Sequence, residues 1–218
     1  MRLGTHGREC QVIVTRYIAN RTGLLVVDPF NDFLSDGGRL WPRIEAAARS
    51  IDLVAHLRTL VDRARQAGVV VLYLPHRRWR EGDFDGWRHP TPWQLAIDRG
   101  ALFAEGTWGG DWHPELTPQP GDVIIQEHWG QDAFFNTDLE LQLKQHRLDN
   151  IIVAGMAANL CVEATARHGA ELGYHVTLAQ DATAALGGAF DARHEDAGRT
   201  FAHAVLTTDE IIAALGAA

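Results

Sequence analysis

Cys161 stands where a thiol could act as a nucleophile. The run Val153-Ala-Gly-Met-Ala-Ala-Asn-Leu-Cys161-Val-Glu-Ala-Thr165 reads as a buried strand, a tight turn at Gly155 and a helix opening near Asn159. Cys161 then falls in the first helical turn, where unpaired N–H groups and the positive end of the helix dipole favour an anion. A thiol in such a place ionises more readily than a free one. Asp28 ends the apolar run Thr22 to Val27 and supplies a carboxylate. A thiol and a carboxylate at two strand ends suggest nucleophilic attack on a small carbonyl compound.

The elements that must position them follow from hydrophobic patterning. Thr22–Val27, Val69–Leu74, Val123–Gln126, Asn150–Ala154, Tyr174–Ala179 and Ala204–Leu206 read as strands. Helices are expected over Pro42–Gln66, near Pro92–Arg99, over Thr137–His146 with Thr137 as N-cap, over Asn159–Leu172, near Phe190–Ala202 and from Asp209. This alternation implies a parallel sheet with helices on both faces. In such sheets ligands bind beyond the carboxyl ends of strands, near a switch in strand order. Asp28, His76, Glu127 and Gly155–Cys161 all follow expected strands and could share one crevice.

The composition narrows the classes. A chain of 218 residues suits one domain, 21–218, preceded by a polar arm, 1–20. A net charge of -8 argues against nucleic acid or an anionic membrane as partner. No apolar run reaches the roughly 20 residues of a membrane span, and the N-terminus lacks a secretory pattern. Cys10 and Cys161 are too few and too far apart for a disulfide framework, so a reducing cytoplasm is the expected setting and Cys10 is expected to be inert. Lys144 is the sole lysine among 20 basic residues.

Three ordered motifs resemble the isochorismatase-like cysteine hydrolases: Leu24-Leu-Val-Val-Asp28-Pro-Phe-Asn-Asp32-Phe, then Gly121-Asp-Val-Ile-Ile with Ala133-Phe-Phe-Asn-Thr-Asp-Leu139, then the Cys161 segment through Arg167. Val176-Thr-Leu-Ala-Gln-Asp-Ala-Thr183 also fits, so the similarity spans about residues 20 to 212. The resemblance implies a three-layer α/β/α fold with a six-stranded, mainly parallel sheet. It implies an Asp–Lys–Cys catalytic set and hydrolysis of an amide or related C–N bond in a small molecule. Asp28 matches the acid/base and Cys161 the nucleophile. It further implies a cis peptide at Met156–Ala157 and an oxyanion hole from the N–H groups of Ala157 and Cys161. No cofactor is expected; a homo-oligomer is.

The lysine has no counterpart. Counting from Gly121-Asp122 puts its position on Glu127; counting back from Phe134 puts it on His128; a small insertion would give Gln126. Glu127 is the preferred occupant. The sign matters: a cation about 4 Å from the thiolate is worth roughly 4 kcal/mol at an effective dielectric of 20, and a carboxylate would push the other way. Glu127 could share a proton with Asp28, or turn away and leave His128, Arg77 or Arg78 to restore positive charge. Vinyl-ether hydrolysis, which needs an acid and no thiol, and a non-catalytic small-molecule binder on a decayed hydrolase fold are the alternative readings.

Aromatic residues crowd the stretch between the second strand and the middle motif. Phe30, Trp129 and Phe134 are the expected substrate contacts. Asp111-Trp-His113-Pro looks like a metal-binding stretch, but it lies just before the middle strand rather than after the second. Surface-loop residues are therefore preferred to a metal site from His76 and His113.

Overall fold

The computed structural model describes residues 16–187 and 198–216. Strands β1 (Thr22–Val27), β2 (Val70–Leu74), β3 (Val123–Ile124), β4 (Asn150–Met156), β5 (His175–Ala184) and β6 (Ala204–Leu206) form one parallel sheet in the order β3-β2-β1-β4-β5-β6. The expected six-stranded α/β architecture is the one found. Helices are α1 (Asn31–Leu34), α2 (Glu45–Ser50), α3 (Leu53–Gln66), α4 (Pro92–Gly100), α5 (Leu139–Gln145), α6 (Glu163–Glu171) and α7 (Thr208–Leu215).

Period-two alternation divides the core between two faces. Leu24, Val26, Ile152 and Ala154 pack with Leu57 and Leu60 of α3 and Ile211 of α7. Leu25, Val27, Ile151 and Val153 pack with Leu139 and Leu143 of α5 and Ala166 of α6. Helices on both faces explain why β1 is buried at every position and reads as an unbroken apolar run.

Three local expectations needed revision. The single helix expected over Pro42–Gln66 is a 3-10 turn at Trp41–Arg43 followed by α2 and α3, broken at Asp52, whose φ is 50°. Aspartate tolerates that left-handed conformation better than most residues. The break lets Leu53, Leu57, Leu60, Val61 and Ala64 of α3 all turn inward. Thr137 bonds the Leu139 N–H, but the N-cap position of α5 is Asp138. Tyr17, within the expected arm, is buried; its hydroxyl shares a 2.6 Å hydrogen bond with Thr177 of β5 and its N–H donates to the Ala214 carbonyl of α7. A large ring gains by burial once its hydroxyl finds a partner. Cys10 and most of the helix expected near Phe190–Ala202 lie outside the described residues. Among the described residues no helix is long and apolar enough to cross a membrane.

Candidate active site

β1 is the pivot of the sheet. The chain runs from β1 to β2 and β3 on one side, then returns to place β4 on the other. A crevice at such a reversal opens beyond the carboxyl ends of the two strands. Asp28 follows β1; its N–H still bonds the Leu74 carbonyl at 3.0 Å, and its φ of 49° turns the chain out of the sheet. Gly155 lies in register with Val27. Its φ is 110°, and a Cβ there would overlap the Val27 carbonyl oxygen and stand 2.8 Å from the Val27 nitrogen. Glycine is therefore required for β4 to run this close to β1 just before Asp28.

Past Gly155, the Met156–Ala157 peptide is cis. A π-helical turn, Ala158–Val162, follows and leads into α6. The sequence reads this stretch as the start of an ordinary α-helix; the wider turn presents Cys161 instead, and π turns recur at functional sites. Cys161 Sγ, a carboxylate oxygen of Asp28 and a ring nitrogen of His128 lie within 4.8 Å of one another, all three residues buried.

His128 arrives from beyond the short edge strand β3. Its N–H bonds the Pro75 carbonyl at 3.0 Å and its carbonyl accepts from Arg77 N–H at 2.9 Å, which pairs it with His76 as a continuation of the β2–β3 ladder. Its Nε2 stands 3.1 Å from Asp28 Oδ1, and its Nδ1–H donates to the Gly130 carbonyl at 2.7 Å. The His76 backbone N–H donates to the same Asp28 oxygen at 2.6 Å. Asp28 Oδ2 is buried without a hydrogen-bond partner.

These neighbours set the charge states. Burial pushes the Cys161 thiol well above the ordinary thiol range, and the Asp28 charge adds to this; the N–H groups of Ala157 and Cys161 pull the other way. Burial alone would lower the His128 pKa, but the charge and hydrogen bond of Asp28, with the Gly130 carbonyl, outweigh it and leave it above the usual histidine value. Burial and the neighbouring His128 bring His76 down to about 4, so that ring is neutral. The site therefore holds a thiol that keeps its proton tightly, beside a histidine hydrogen-bonded to Asp28.

Glu127, the preferred occupant of the lysine position, is not the residue brought to Asp28. Its carboxylate accepts from Arg78 Nη1 at 2.7 Å, Arg78 N at 3.2 Å and Arg77 Nη1 at 3.3 Å. The physical reason is a register shift: Tyr73 pairs with Ile124 but His76 pairs with His128, so the β3 side carries one extra residue and Ile125 and His128, three apart, are both buried. A one-residue slip exchanges the faces. Gln126 is exposed, its N–H bonded to Asp138.

Glu127 instead fixes a wall. Arg77 lies 4.7 Å over Trp129, while Arg78 lies 4.9 Å over Phe30 and 4.8 Å over Trp112. Replacing Glu127 with glutamine should lower thermal stability by about 1–2 kcal/mol, since the Arg–Glu contacts are only partly buried. Urea unfolding checks this; an unchanged midpoint would mean that the wall stands without Glu127.

Phe30 follows Asp28 and is fully buried, stacked 5.2 Å from Trp112. Trp129 is half-buried and tilts against Trp87 at 5.7 Å. Phe134 requires a correction. It packs on His168 and Tyr174, and a Cβ at Gly169 would lie 3.3 Å from its ring. Gly169 is eight residues beyond Cys161, about 12 Å along a helix, so Phe134 belongs to the core under α6 and not to the crevice.

Asp111-Trp112-His113 serves as a clamp on the segment after Asp28. The Asp111 carbonyl accepts from Asn31 N–H, and His113 N–H donates to the Pro29 carbonyl at 2.8 Å. His113 does not join His76 in any cluster of metal-ligating groups among the described residues. Sequence reasoning missed Asp32, whose oxygens accept from Phe103 N–H at 2.7 Å and Arg39 N–H at 3.0 Å. It also missed Trp93, whose indole nitrogen is buried without a partner, as is His76 Nε2. Asp32 is visible as part of the first motif, and Trp93 by its place in the aromatic-rich stretch.

Comparisons with known proteins bear on the family and the fold. The isochorismatase domain family matches residues 22–210. The ureidoacrylate amidohydrolase RutB of Pantoea ananatis (strain LMG 20103) is 31% identical over 185 residues, covering 80% of this chain and 73% of that protein. RutB of Agrobacterium fabrum (strain C58 / ATCC 33970) is 30% identical, covering 77% of this chain and 78% of that one. The crystal structure of a cysteine hydrolase from Pseudomonas syringae pv. phaseolicola 1448A superposes with a TM-score of 0.75 at 29% identity, covering 92% of this chain and 94% of that one. With its motifs in order and its sheet, reversal point and thiol in place, the chain belongs to the isochorismatase family and is a hydrolase.

Proposed function

We propose that the protein hydrolyses an amide C–N bond of a small ureide or carbamoyl compound through a thioester on Cys161. The observation that carries this reading is the meeting of Cys161 Sγ, Asp28 and His128 within 4.8 Å, with the N–H groups of Ala157 and Cys161 acting on the sulfur. As Sγ attacks the carbonyl carbon, its proton passes to Asp28, whose Oδ2 has no other partner. The imidazolium of His128, in place of the lysine, keeps a positive charge beside the forming anion. The Ala157 and Cys161 N–H groups hold the oxyanion. Asp28 returns the proton to the leaving amine, the C–N bond breaks, and water attacks the thioester with Asp28 again as base.

The ureide class is drawn from the RutB relatives, and two orphaned atoms are compatible with an amide-bearing ligand. His76 Nδ1 faces the Arg77 carbonyl at 3.2 Å and so carries the proton, leaving Nε2 as an acceptor. Trp93 Nε1 is a donor only. A substrate offering both an N–H and a carbonyl would satisfy both atoms. Ammonia release measured across simple amides, carbamoyl amino acids and ureido acids tests this; turnover confined to compounds without a C–N bond would end it.

The thiol's charge state gives a second test. Iodoacetamide labelling of Cys161 should be slow at neutral pH and still rising above the usual thiol pKa of about 8.5, because burial and Asp28 hold the proton on sulfur. A labelling rate that levels off near pH 7 would mean the resting enzyme already holds a thiolate.

A further inference from the structure

We propose that Asp28, His128 and Cys161 also form a binding site for a borderline-soft divalent cation, Zn²⁺ foremost, and that the ion reversibly blocks the enzyme by occupying the atoms that would do the chemistry. The proposal takes the same three residues as the hydrolase reading but does not need turnover. Thiolate, imidazole and carboxylate are the ligand types that Zn²⁺ prefers, and three protein ligands with one open position is a common zinc arrangement.

The geometry fits. The three ligand atoms lie within 4.8 Å of one another, and His128 Nε2 stands 3.1 Å from Asp28 Oδ1. Ligands at about 2.0–2.3 Å from one tetrahedral ion sit roughly 3.3–3.8 Å apart, so adjustments of at most about 1 Å complete the site. The supporting contacts are already made. His128 Nδ1–H donates to the Gly130 carbonyl at 2.7 Å, which makes Nε2 the ligating nitrogen once its proton is lost. The His76 N–H holds Asp28 Oδ1 at 2.6 Å, while Oδ2, buried and unpartnered, is an open lone-pair donor. Among the described residues this is the one group of three such side chains that converges. On binding, the thiol proton and the Nε2 proton leave to solvent, and the ion forms bonds to S, N and O with no change of oxidation state.

The test uses full-length, chelator-stripped protein titrated with Co²⁺. One ion per chain should bind and produce a thiolate-to-cobalt charge-transfer band in the near ultraviolet, and Zn²⁺ should abolish the band by displacement. Zn²⁺ should also protect Cys161 from iodoacetamide until EDTA is added. H128K, which keeps a cation but offers no lone pair, should lose the band, and H128Q should weaken Co²⁺ binding by ~100-fold or more. C161S, nearly isosteric, should keep the fold and lose the band, which also excludes Cys10 as its source. Absence of the band in the unaltered protein, or its persistence in C161S or H128K, overturns the proposal. Turnover by stripped protein without a cobalt band would sink the metal site and leave the hydrolase; a band without turnover would do the reverse.

Discussion

Cys161→Ala should reduce kcat by roughly 10⁴-fold or more while leaving substrate binding measurable, because it removes the thiol that the proposed mechanism uses as nucleophile. The residue is 1% exposed and sits at the start of the α6 segment, so alanine leaves only a small void there. Loss of the sulfur should cost about 1–2 kcal/mol of stability, too little to unfold the chain. The comparison that matters is kcat against KM with one ureide substrate, together with intact-mass detection of an acyl adduct in the unaltered protein. Near-normal turnover in the alanine variant would remove the thiol mechanism. It would then favour protonation chemistry by the His128–Asp28 pair, which the variant keeps.

Gly155→Ala should destabilise the fold by about 3–5 kcal/mol, a loss of roughly 10 °C in Tm for a chain of this size. Two costs combine. A φ of 110° is strained for any residue with a Cβ, and that Cβ would overlap the Val27 carbonyl and lie 3.0 Å from the Val27 carbonyl carbon. The obstacle is backbone in the middle of the sheet, so no side chain can swing aside. Relief requires β4 to back away from β1, which moves Cys161 away from Asp28. Thermal unfolding checks the stability, and the iodoacetamide rate at Cys161 checks the geometry. A variant as stable as the parent would show that the two strands are less tightly held than their register implies.

Where periodicity and burial act together, the fold was open to reading from residues alone. β1 and β6 occupy the expected Thr22–Val27 and Ala204–Leu206; β1, buried at every position, has the sharp polar boundary that such a run carries. The meeting of Asp28 and Cys161 followed from strand ends and turn chemistry. What escaped depended on tertiary placement. Whether Glu127 or His128 faces Asp28 turns on a one-residue register shift between Ile124 and His128, and two counts along the chain differ by that one residue. Phe134 follows the right strand, but its ring crosses to the α6 side, which no spacing rule reports. The partner of Asp32 is the Phe103 N–H, 71 positions away, and local sequence has no access to such a bond.

Asp28 and the Cys161 segment follow strand ends of the sheet, whereas the surrounding wall is also tied by Asn31 to the Trp108 carbonyl, Asp32 to Phe103, and Glu127 to Arg78. Between those ties Phe84, Ile97, Leu102, Phe103 and Leu116 are committed to the core, while Trp87, tilted against Trp129, stands exposed. Variation at exposed wall positions of that kind carries little thermodynamic risk, whereas variation at the buried ones carries much.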